Sequence, residues 1–479
     1  MSSDIKISEM AVGLIPAKKA YEENVLPIKV EKGIFHLGIS NKNNMKVIND
    51  ISFCTGLKIC PEELPPEVIL RKLKEIYPQY KYENKNEDTR GNVESTSENV
   101  IIESSNVEFV NQIISGAIKA GSSDIHLESY ENSYRIRYRI DGHLREVFNL
   151  PKDKSLFIAS RLKIMANLDI SEKRRPQDGR IRFKYQEKII DIRLSTLPTN
   201  FGEKIVLRIL DKSQVQLDLA KLGMNGKQHE ILSKSLSIPY GMILVTGPTG
   251  SGKTTTLYAS LKHVHSVERN ILTVEDPIEY NLEGINQSQV RPDLGYDFAG
   301  ALRTFLRQDP DIIMVGEIRD RETAEVAIRA SLTGHLVLST LHTNDSVSAI
   351  TRLIDMGIEP FLVASSVKLI IAQRLVRKLC VCKTESHNNQ LKTLLNTNIL
   401  YDKKGCDKCG FTGYKGRNAI FEILEITEDI AEMISKNMGA MEIKKASVES
   451  GLISLRDSGI EKIMLGNTTY EEVLRETML

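Results

Sequence analysis

The octapeptide GPTGSGKT, at positions 247–254, constrains the fold of this 479-residue chain more than any other stretch of its sequence. It fits every fixed position of the phosphate-binding loop pattern. It lies between an apolar run, MILV (242–245), and a helical sequence, TTTLYASLKHV (254–264). Glycines in such a loop let backbone N–H groups turn toward phosphates, and the helix N-terminus adds partial positive charge. A chance glycine-rich turn, the alternative, would not require this order of strand, loop and helix.

The chemistry of the loop also predicts its ligands. We expect Lys253 to bridge the β- and γ-phosphates of a nucleoside triphosphate and the Thr254 hydroxyl to bind magnesium. ATP and Mg²⁺ are therefore the expected cofactors. The candidate nucleotide ligands of the loop are Gly247, Pro248, Thr249, Gly250, Ser251, Gly252, Lys253, Thr254 and Thr255.

Three further apolar runs follow the loop and alternate with helical segments. They read NILTVED (270–276), DIIMVGE (311–317) and HLVLSTLHT (335–343). Apolar strands that alternate with helices indicate a mostly parallel sheet with helices on its faces. The sequence therefore predicts an α/β fold for this region.

Acidic residues stand at the ends of two of these runs. Glu275, Asp276 and Glu279 cluster after the first run, and Glu317 closes the second. The carboxyl ends of parallel strands meet at one edge of an open sheet, which is where ligands bind. We therefore expect these carboxylates beside the nucleotide, with a solvated acidic turn as the alternative for the first three.

The preceding region has a different pattern. After a helical segment, YRIRYRIDGHLREV (134–147) alternates like two strands joined at Asp141, and GRIRFKYQEKIIDIRLST (179–196) and GEKIVLRIL (202–210) also alternate. Arginines occupy polar positions of these strands. The pattern predicts an α+β domain with an arginine-rich sheet face, and an ordinary solvated face is the alternative interpretation.

Taken together, these motifs resemble the secretion ATPase superfamily, and more narrowly the type IV pilus assembly and type II secretion ATPases. The similarity is carried by GPTGSGKTTTLYA, ILTVEDPIEY, LRTFLRQDPDIIMVGEIRD and TGHLVLSTLHTND, with SSDIHLES, RYRIDGHL and RRPQDGR upstream. It implies a RecA-like P-loop NTPase core, a preceding α+β (PAS-like) sheet domain and a small N-terminal α/β module.

The resemblance also implies roles for the acids and for two histidines. Glu317 would be the Walker B acid near magnesium, and Glu279 the base that orients water, with Glu275 and Asp276 assisting. His335 and His342, which bracket the fourth strand, match the family's His box and would sense the state of the nucleotide; lone histidines are otherwise often structural. The arginines that would reach the phosphates, in the same or a neighbouring subunit, are Arg180, Arg193 and Arg208.

Four of the six cysteines lie within thirty positions, as CVCK and CDKC, and the family carries a four-cysteine zinc motif there. They are Cys380, Cys382, Cys406 and Cys409. The first pair has one intervening residue where the family has two, and short chelate loops strain a tetrahedral site. Structural zinc is the expectation and reduced thiols the alternative. The isolated Cys54 and Cys60 are expected to be small buried thiols.

The expected domain organisation follows from these patterns. The boundaries are 1–81 for an N-terminal docking module, 82–100 for a flexible polar linker, 101–212 for the arginine-rich domain, 213–375 for the ATPase domain, 376–420 for the zinc-binding segment and 421–479 for a C-terminal helical region. The N-terminal module lacks the Arg-Leu-Gly signature with which some family members bind a cyclic dinucleotide, so we do not predict that regulation.

The resemblance implies a hexameric motor that hydrolyses ATP and acts on an inner-membrane platform protein during pilus or pseudopilus assembly. The alternatives are a retraction motor, which would lack the cysteine motif, a non-hydrolysing nucleotide-gated scaffold, and a DNA translocase. The net charge of +1 gives no footprint for nucleic acid, and we expect no such partner. No apolar run approaches the roughly 18 residues of a membrane span, so we expect a cytoplasmic protein held at the membrane through partners.

Overall fold

The computed structural model describes most of the chain beyond residue 105. The described residues are 7–12, 14–15, 20–21, 23–31, 34–42, 44, 47–48, 51–52, 55, 57–77, 106–210 and 217–478. The expected linker, 82–100, and Cys54 lie outside them. The chain divides into two compact units, Met1–Glu98 and Asn99–Leu479, which are described separately.

The first unit is a small α/β module, as the sequence indicates. Its elements are helix α1 (Glu9–Val12), strands β1 (Val25–Glu31), β2 (Ile34–Ile39) and β3 (Lys58–Glu63), and helix α2 (Pro66–Ile76). Strand β2 pairs antiparallel with β1 and parallel with β3. The apolar side chains of Phe35, Leu37 and Leu73 are fully buried. The expectation of a buried Cys60 is wrong: it lies in β3, at the end of the strand order β1-β2-β3, and is exposed.

The second unit begins with an antiparallel sheet. Its elements are α3 (Asn106–Lys119), β4 (Ser122–Ser129), β5 (Ser133–Ile140), β6 (His143–Pro151), α4 (Lys154–Met165), β7 (Gln177–Tyr185), β8 (Lys188–Thr199) and β9 (Gly202–Leu210). The six strands are ordered β6-β5-β4-β9-β8-β7. Ile113 and Ile114 of α3 and Leu162 of α4 share one apolar core with Leu127 and Ile136 of the sheet. This part of the second unit is the α+β domain that the alternating pattern predicts. We call the sheet formed by β4 to β9 the six-stranded sheet.

The strand register aligns the arginines of the six-stranded sheet. Arg180 is opposite Arg193, and Arg193 is opposite Arg208. Arg208 is in turn opposite Asp124, which is opposite Arg139. Because residues directly opposite each other on neighbouring strands point to the same face, these five side chains form one row across the sheet.

The chain then builds a second, larger sheet. The elements are α5 (Gly226–Leu236), β10 (Gly241–Thr246), α6 (Lys253–Val264), β11 (Ile271–Glu275), β12 (Asn286–Gln289), α7 (Phe298–Phe305), β13 (Ile312–Val315), α8 (Arg321–Leu332), β14 (Leu336–Leu341), α9 (Ser346–Asp355), α10 (Pro360–Ser366) and β15 (Val367–Leu379). Every residue of β10, β11, β13 and β14 is buried, which explains why apolar residues predominate in these strands.

The C-terminal part completes this sheet and covers it. Its elements are β16 (Thr384–Glu385), α11 (Asn389–Leu394), β17 (Tyr401–Asp402), β18 (Tyr414–Glu425), α12 (Glu428–Ser435), α13 (Ala440–Glu449), α14 (Leu455–Met464) and α15 (Tyr470–Thr477). The strand order is β12-β11-β13-β14-β10-β15-β18. All neighbours are parallel except β15 and β18.

This sheet confirms the expected α/β core. Strand β18 continues to Glu425, so the first residues of the expected helical region at 421–479 still belong to the sheet. The remaining domain boundaries stay predictions. Among the helices that the structure describes, none combines the length and apolar character that crossing a membrane requires.

Candidate active site

The nucleotide loop joins β10 to α6 and requires glycine at three positions. Gly247, Gly250 and Gly252 have φ angles of 149°, 82° and 91°, where side chains are strained. A Cβ atom at Gly247 would also lie 2.5 Å from the carbonyl oxygen of Gln373, and one at Gly252 would lie 2.8 Å from its Nε2. The loop is therefore shaped by its own backbone and by close contact with β15.

Lys253 points back into this loop. Its Nζ donates hydrogen bonds to the carbonyl oxygens of Gly247, at 2.8 Å, and Pro248, at 3.2 Å. Burial lowers the pKa of Lys253 to about 8, and Arg374 acts in the same direction while Glu317 opposes both. The ammonium group is held by weak acceptors, which charged phosphate oxygens can replace.

A cleft of about 1160 Å³ opens between this loop and the six-stranded sheet. Most of the site residues expected from the sequence line it. They are Pro248, Thr249, Gly250, Ser251, Gly252, Lys253, Thr254, Thr255, Arg193, Arg208, Glu275, Asp276, Glu279, Glu317 and His342. Residues from both sheets thus face one volume, which lies just above the range typical of ligand sites.

Glu317 follows β13 and stands opposite the nucleotide loop. Its carboxylate forms an ion pair with Arg319 and lies 3.5 Å from Nε2 of His342. Burial and the nearby Lys253 ammonium lower the pKa of His342, against the opposing charge of Glu317. A Cβ atom at Gly316, which precedes this acid, would lie 3.3 Å from the carbonyl oxygen of Val274, so a larger residue would make an unusually tight contact with β11.

Glu279 is the acid that meets the six-stranded sheet. Its carboxylate oxygen lies 3.5 Å from a guanidinium nitrogen of Arg193, which also donates a 2.9 Å hydrogen bond to the carbonyl of Ile278. Asp276 lies 4.0 Å from a guanidinium nitrogen of Arg319. Arg319 therefore lies between Asp276 and Glu317. It was not among the expected site residues, although it is only two residues beyond Glu317.

Glu275 has a different environment from the other acids. Only 4% of this residue is exposed. Its Oε1 accepts hydrogen bonds from Thr273 Oγ1 at 2.7 Å and Gln287 Nε2 at 2.9 Å, and its Oε2 accepts one from the Tyr258 hydroxyl. The carboxylate is thus bound to the protein on both oxygens.

Among the expected site residues, His335 and Arg180 do not line the cleft. His335 precedes β14, and its Nδ1 lies 3.0 Å from the carbonyl oxygen of Ala330. His342 follows the same strand. The six residues of β14 therefore separate the two histidines by roughly 20 Å. Arg180 is exposed and occupies the outer end of the arginine row. His342 therefore lies at the cleft, whereas His335 lies at the opposite end of β14, and the roles of both histidines stay predictions.

Several arginines that were not expected from the sequence also line the cleft, among them Arg374 and Arg139. Arg374 is 4% exposed and donates hydrogen bonds to the carbonyl oxygens of Asn344, at 2.8 Å, and Gln373, at 3.1 Å. Burial lowers its pKa. Arg139 lies 3.5 Å from Asp124, which also accepts a 3.0 Å hydrogen bond from Arg208. The available signal for the first was a buried polar pair, Gln373 and Arg374, directly after the apolar run at 369–372 of β15.

The four cysteine thiols converge on one point beyond the end of β15. All four sulfur atoms lie within 4.8 Å of one another. The distances are 3.8 Å for Cys380 to Cys406, 3.9 Å for Cys382 to Cys409 and 3.8 Å for Cys406 to Cys409. Tetrahedral zinc with bonds of about 2.3 Å separates its sulfur ligands by roughly 3.8 Å. The sulfur positions therefore fit a zinc ion.

The short spacing of the first pair is accommodated by a turn. The Lys383 N–H donates a 3.0 Å hydrogen bond to the Cys380 carbonyl, and the intervening Val381 is 82% exposed. In the second pair, the N–H groups of Cys406 and Gly413 donate to the Cys409 sulfur. Burial opposes ionisation of that thiol, yet these hydrogen bonds lower its pKa to about 6. A thiolate of this kind is what a metal ion requires.

The fold and the site define the class of protein. A phosphate-binding loop follows a central parallel strand and opens a helix, and acids lie at the ends of two other adjacent strands of the sheet, β11 and β13. This is the arrangement of a RecA-like P-loop nucleoside triphosphatase. Residues 102–475 match the family described as Type II/IV secretion system protein, and residues 2–81 match the MshEN domain. The chain therefore belongs to the Type II/IV secretion system protein family, and it is an ATP-hydrolysing enzyme.

Similar proteins narrow the family. The type IV pilus assembly ATPase PilB of Myxococcus xanthus (strain DK1622) is 44% identical over 501 residues, covering 99% of this chain and 88% of the relative. The type II secretion system ATPase E of Vibrio cholerae serotype O1 is 50% identical over 378 residues, covering 78% of this chain and 75% of the relative. Both the assembly and the secretion branches are thus represented among its relatives.

Solved structures show the same architecture. The crystal structure of the pilus retraction motor PilT with bound ADP has a TM-score of 0.53 and 27% identity, covering 77% of this chain and 96% of that one. The Legionella pneumophila ATPase DotB has a TM-score of 0.58 and 20% identity, covering 76% of this chain and 94% of that one. The second likeness shows the fold alone.

Proposed function

We propose that the protein is a homohexameric motor that uses ATP hydrolysis to drive assembly of a type IV pilus or a type II secretion pseudopilus. The observation that carries this proposal is the contact of Arg193 with Glu279 across the cleft. One sheet holds the nucleotide loop, and the other supplies arginines opposite it. Changes in the nucleotide's charge can therefore be converted into movement of one sheet against the other.

The residues of the cleft divide the work of hydrolysis among them. The loop and Lys253 bind the phosphates, and Thr254 with Glu317 would hold magnesium, which neutralises charge on the phosphate oxygens when bound. Glu279 orients the attacking water. Arg193 and Arg208 stabilise the negative charge that develops on the transferred phosphoryl group. His342 lies close to Glu317 and follows β14, so a change in the position or charge of Glu317 would be transmitted through His342 to that strand.

The four-cysteine cluster has a structural role in this proposal. Four sulfur ligands fill a tetrahedral zinc ion and leave no position for a substrate. The cluster also favours assembly over retraction within the family. Relatives named for assembly or secretion are 44% and 50% identical to this chain, whereas the retraction motor is 27% identical.

The partners follow from the same assignment. The motor would act on a platform protein of the inner membrane, and it would lie in the cytoplasm at the inner face of that membrane through its partners. The N-terminal module, which matches the MshEN domain, would dock to a membrane-associated component. A non-hydrolysing scaffold is less well supported, because Lys253, Glu279 and Glu317 all line the cleft.

Steady-state ATP hydrolysis tests this proposal. The full-length protein is compared with Glu317→Gln and with Glu322→Gln, a surface control whose residue pairs with Arg303 at 2.5 Å. We expect parent turnover to rise with protein concentration as subunits assemble. Glu317→Gln should lose it, and the control should retain it. Equal turnover in all three proteins would overturn the assignment.

Mass measurement of the protein with a non-hydrolysable ATP analogue tests the oligomer. A hexamer is expected at concentrations at which turnover is maximal. Full activity in a monomer would contradict the proposed hexamer, but it would not contradict the assignment of ATP hydrolysis. Addition of membranes containing the platform protein should then stimulate turnover, and an absence of stimulation would contradict that partnership.

A further inference from the structure

The hydrogen bonds of Glu275 link three elements around the cleft. The residue ends β11, Tyr258 lies in α6, and Gln287 lies in β12. Both carboxylate oxygens are engaged, and Tyr258 is fully buried. Burial and the neighbouring Glu275 raise the pKa of the Tyr258 hydroxyl, which keeps it a hydrogen-bond donor.

The same network extends to the segment that carries Glu279. Gln287 Nε2 donates to the Tyr280 carbonyl at 3.2 Å, and its Oε1 accepts from the Leu282 N–H at 2.6 Å. The rings of Tyr280 and Tyr258 pack edge to face with centroids 4.7 Å apart. The backbone on the C-terminal side of Glu279 is therefore tied to the Glu275 network at two points.

We propose that Glu275 is a positioning residue, which fixes Glu279 relative to the nucleotide loop. Helix α6 begins at Lys253, so the hydrogen bond from Tyr258 joins the carboxylate directly to the element that carries the loop. Gln287 joins the same carboxylate to the segment that follows Glu279. This inference rests on the proposed function, and it replaces an assisting role for Glu275 in water activation.

The burial of the two acids separates their roles. The Glu279 side chain is 31% exposed and faces the cleft, where water can reach it. Glu275 has donors on both oxygens and almost no exposed surface. A carboxylate that already accepts three hydrogen bonds is poorly suited to take a proton from water. Holding a catalytic group by surrounding hydrogen bonds is a recognised requirement of a preorganised site.

The test compares Tyr258→Phe with Tyr296→Phe in the full-length protein. Tyr296 offers a matched control because its hydroxyl is hydrogen-bonded to Ser288 of the same β12, at 2.9 Å, outside the Glu275 network. We expect Tyr258→Phe to lower kcat by about tenfold and to change the affinity for an ATP analogue by less than about twofold. The control should change neither.

A double variant separates positioning from loss of structure. Once Glu279→Gln has removed the positioned group, adding Tyr258→Phe should lower turnover no further, because coupled residues are not additive. An equal fall in both backgrounds, together with a lower unfolding midpoint, would overturn the inference. Gln287→Met offers a second variant should Tyr258→Phe not fold, and it should show the same pattern.

The outcomes also separate the two proposals. Absent turnover in the parent would overturn the proposed function and this inference with it. Turnover that depends on Glu279 but is unaffected by Tyr258→Phe and by Gln287→Met would overturn the positioning role alone.

Discussion

Arg193 of the six-stranded sheet lies 3.5 Å from the carboxylate of Glu279, which follows a strand of the other sheet. The guanidinium is anchored by its hydrogen bond to the Ile278 carbonyl, so it approaches the acid in a fixed orientation. The contact joins the two sheets at the point where the phosphates are expected. In the proposed mechanism, Arg193 exchanges this carboxylate for phosphate oxygens when the nucleotide binds.

Replacing Arg193 with alanine should reduce kcat much more than nucleotide affinity. Transition-state charge is what this guanidinium would meet, and an arginine of that kind can contribute on the order of 10³-fold in rate. Arg182→Ala is the control, because Arg182 lies on the neighbouring β7 with 86% of its side chain exposed. Unchanged turnover in Arg193→Ala would contradict this role and favour the alternative interpretation, in which this sheet face is an ordinary solvated surface.

Affinity for a non-hydrolysable ATP analogue should fall as pH rises through about 8. Burial lowers the pKa of Lys253 to about 8, so the free protein loses the ammonium charge above that value. Bound phosphates favour the charged form, and the affinity therefore falls by up to about tenfold per pH unit. Binding is measured by calorimetry between pH 7 and 9.5.

The sign for stability is opposite, because the lowered pKa means that the folded chain binds fewer protons than the unfolded chain between about 8 and 10.5. Stability therefore rises with pH across this window, and the contribution of Lys253 is lost as pH falls from about 10.5 to about 8. Lys262→Met, at an exposed position of the same α6, should keep the pH dependence of binding. A flat affinity profile in the parent would show that Lys253 does not meet the phosphates.

Replacing Cys406 and Cys409 with serine should remove bound zinc. The sulfur atoms fit a tetrahedral ion, and loss of such an ion destabilises the fold that holds it. A cost of about 2 kcal/mol in a unit as large as Asn99–Leu479 would lower the unfolding midpoint by roughly 2–3 °C. Elemental analysis measures zinc per chain, with Cys60→Ser, an exposed cysteine in β3, as the control. Equal zinc in the double variant and the control would contradict the metal assignment.

The segment after the cysteine cluster contacts the six-stranded sheet, and this contact should matter for turnover. The Gly416 N–H donates a 2.9 Å hydrogen bond to the Asp141 carboxylate, and Arg145 donates one of 3.3 Å to Thr412. Asp141→Gly removes the acceptor and tolerates the positive φ of 49° at this turn. We expect a loss of about 1 kcal/mol in stability, and lower kcat because Arg193 is less firmly held over the cleft.

Asp141→Asn is the matched variant, since it keeps an oxygen acceptor and tolerates the same backbone conformation. It should retain most of the parent turnover. Thermal unfolding and steady-state hydrolysis are measured on all three proteins. A similar loss in both variants would point to the charge of Asp141 rather than to the hydrogen bond.

The sequence by itself determined the nucleotide loop, the parallel sheet and the acids at its edge. Each depends on residues close together along the chain. The glycines of 247–254 allow the backbone conformation of the loop, and a run of apolar residues makes its own strand a buried one. The sequence also indicated the cysteine site, because the pairs in CVCK and CDKC lie within thirty positions of each other.

Only the tertiary structure decided which of these residues act together. Arg193 meets Glu279 because the register of one sheet places it opposite an edge of the other, and no local pattern encodes that alignment. His335 and His342 look alike in the sequence, but they stand at opposite ends of β14. Glu275 sits among acids in the sequence, yet donors from α6, β11 and β12 surround it in space. Short-range preferences fix elements, whereas the contacts that give each side chain its role form between distant segments.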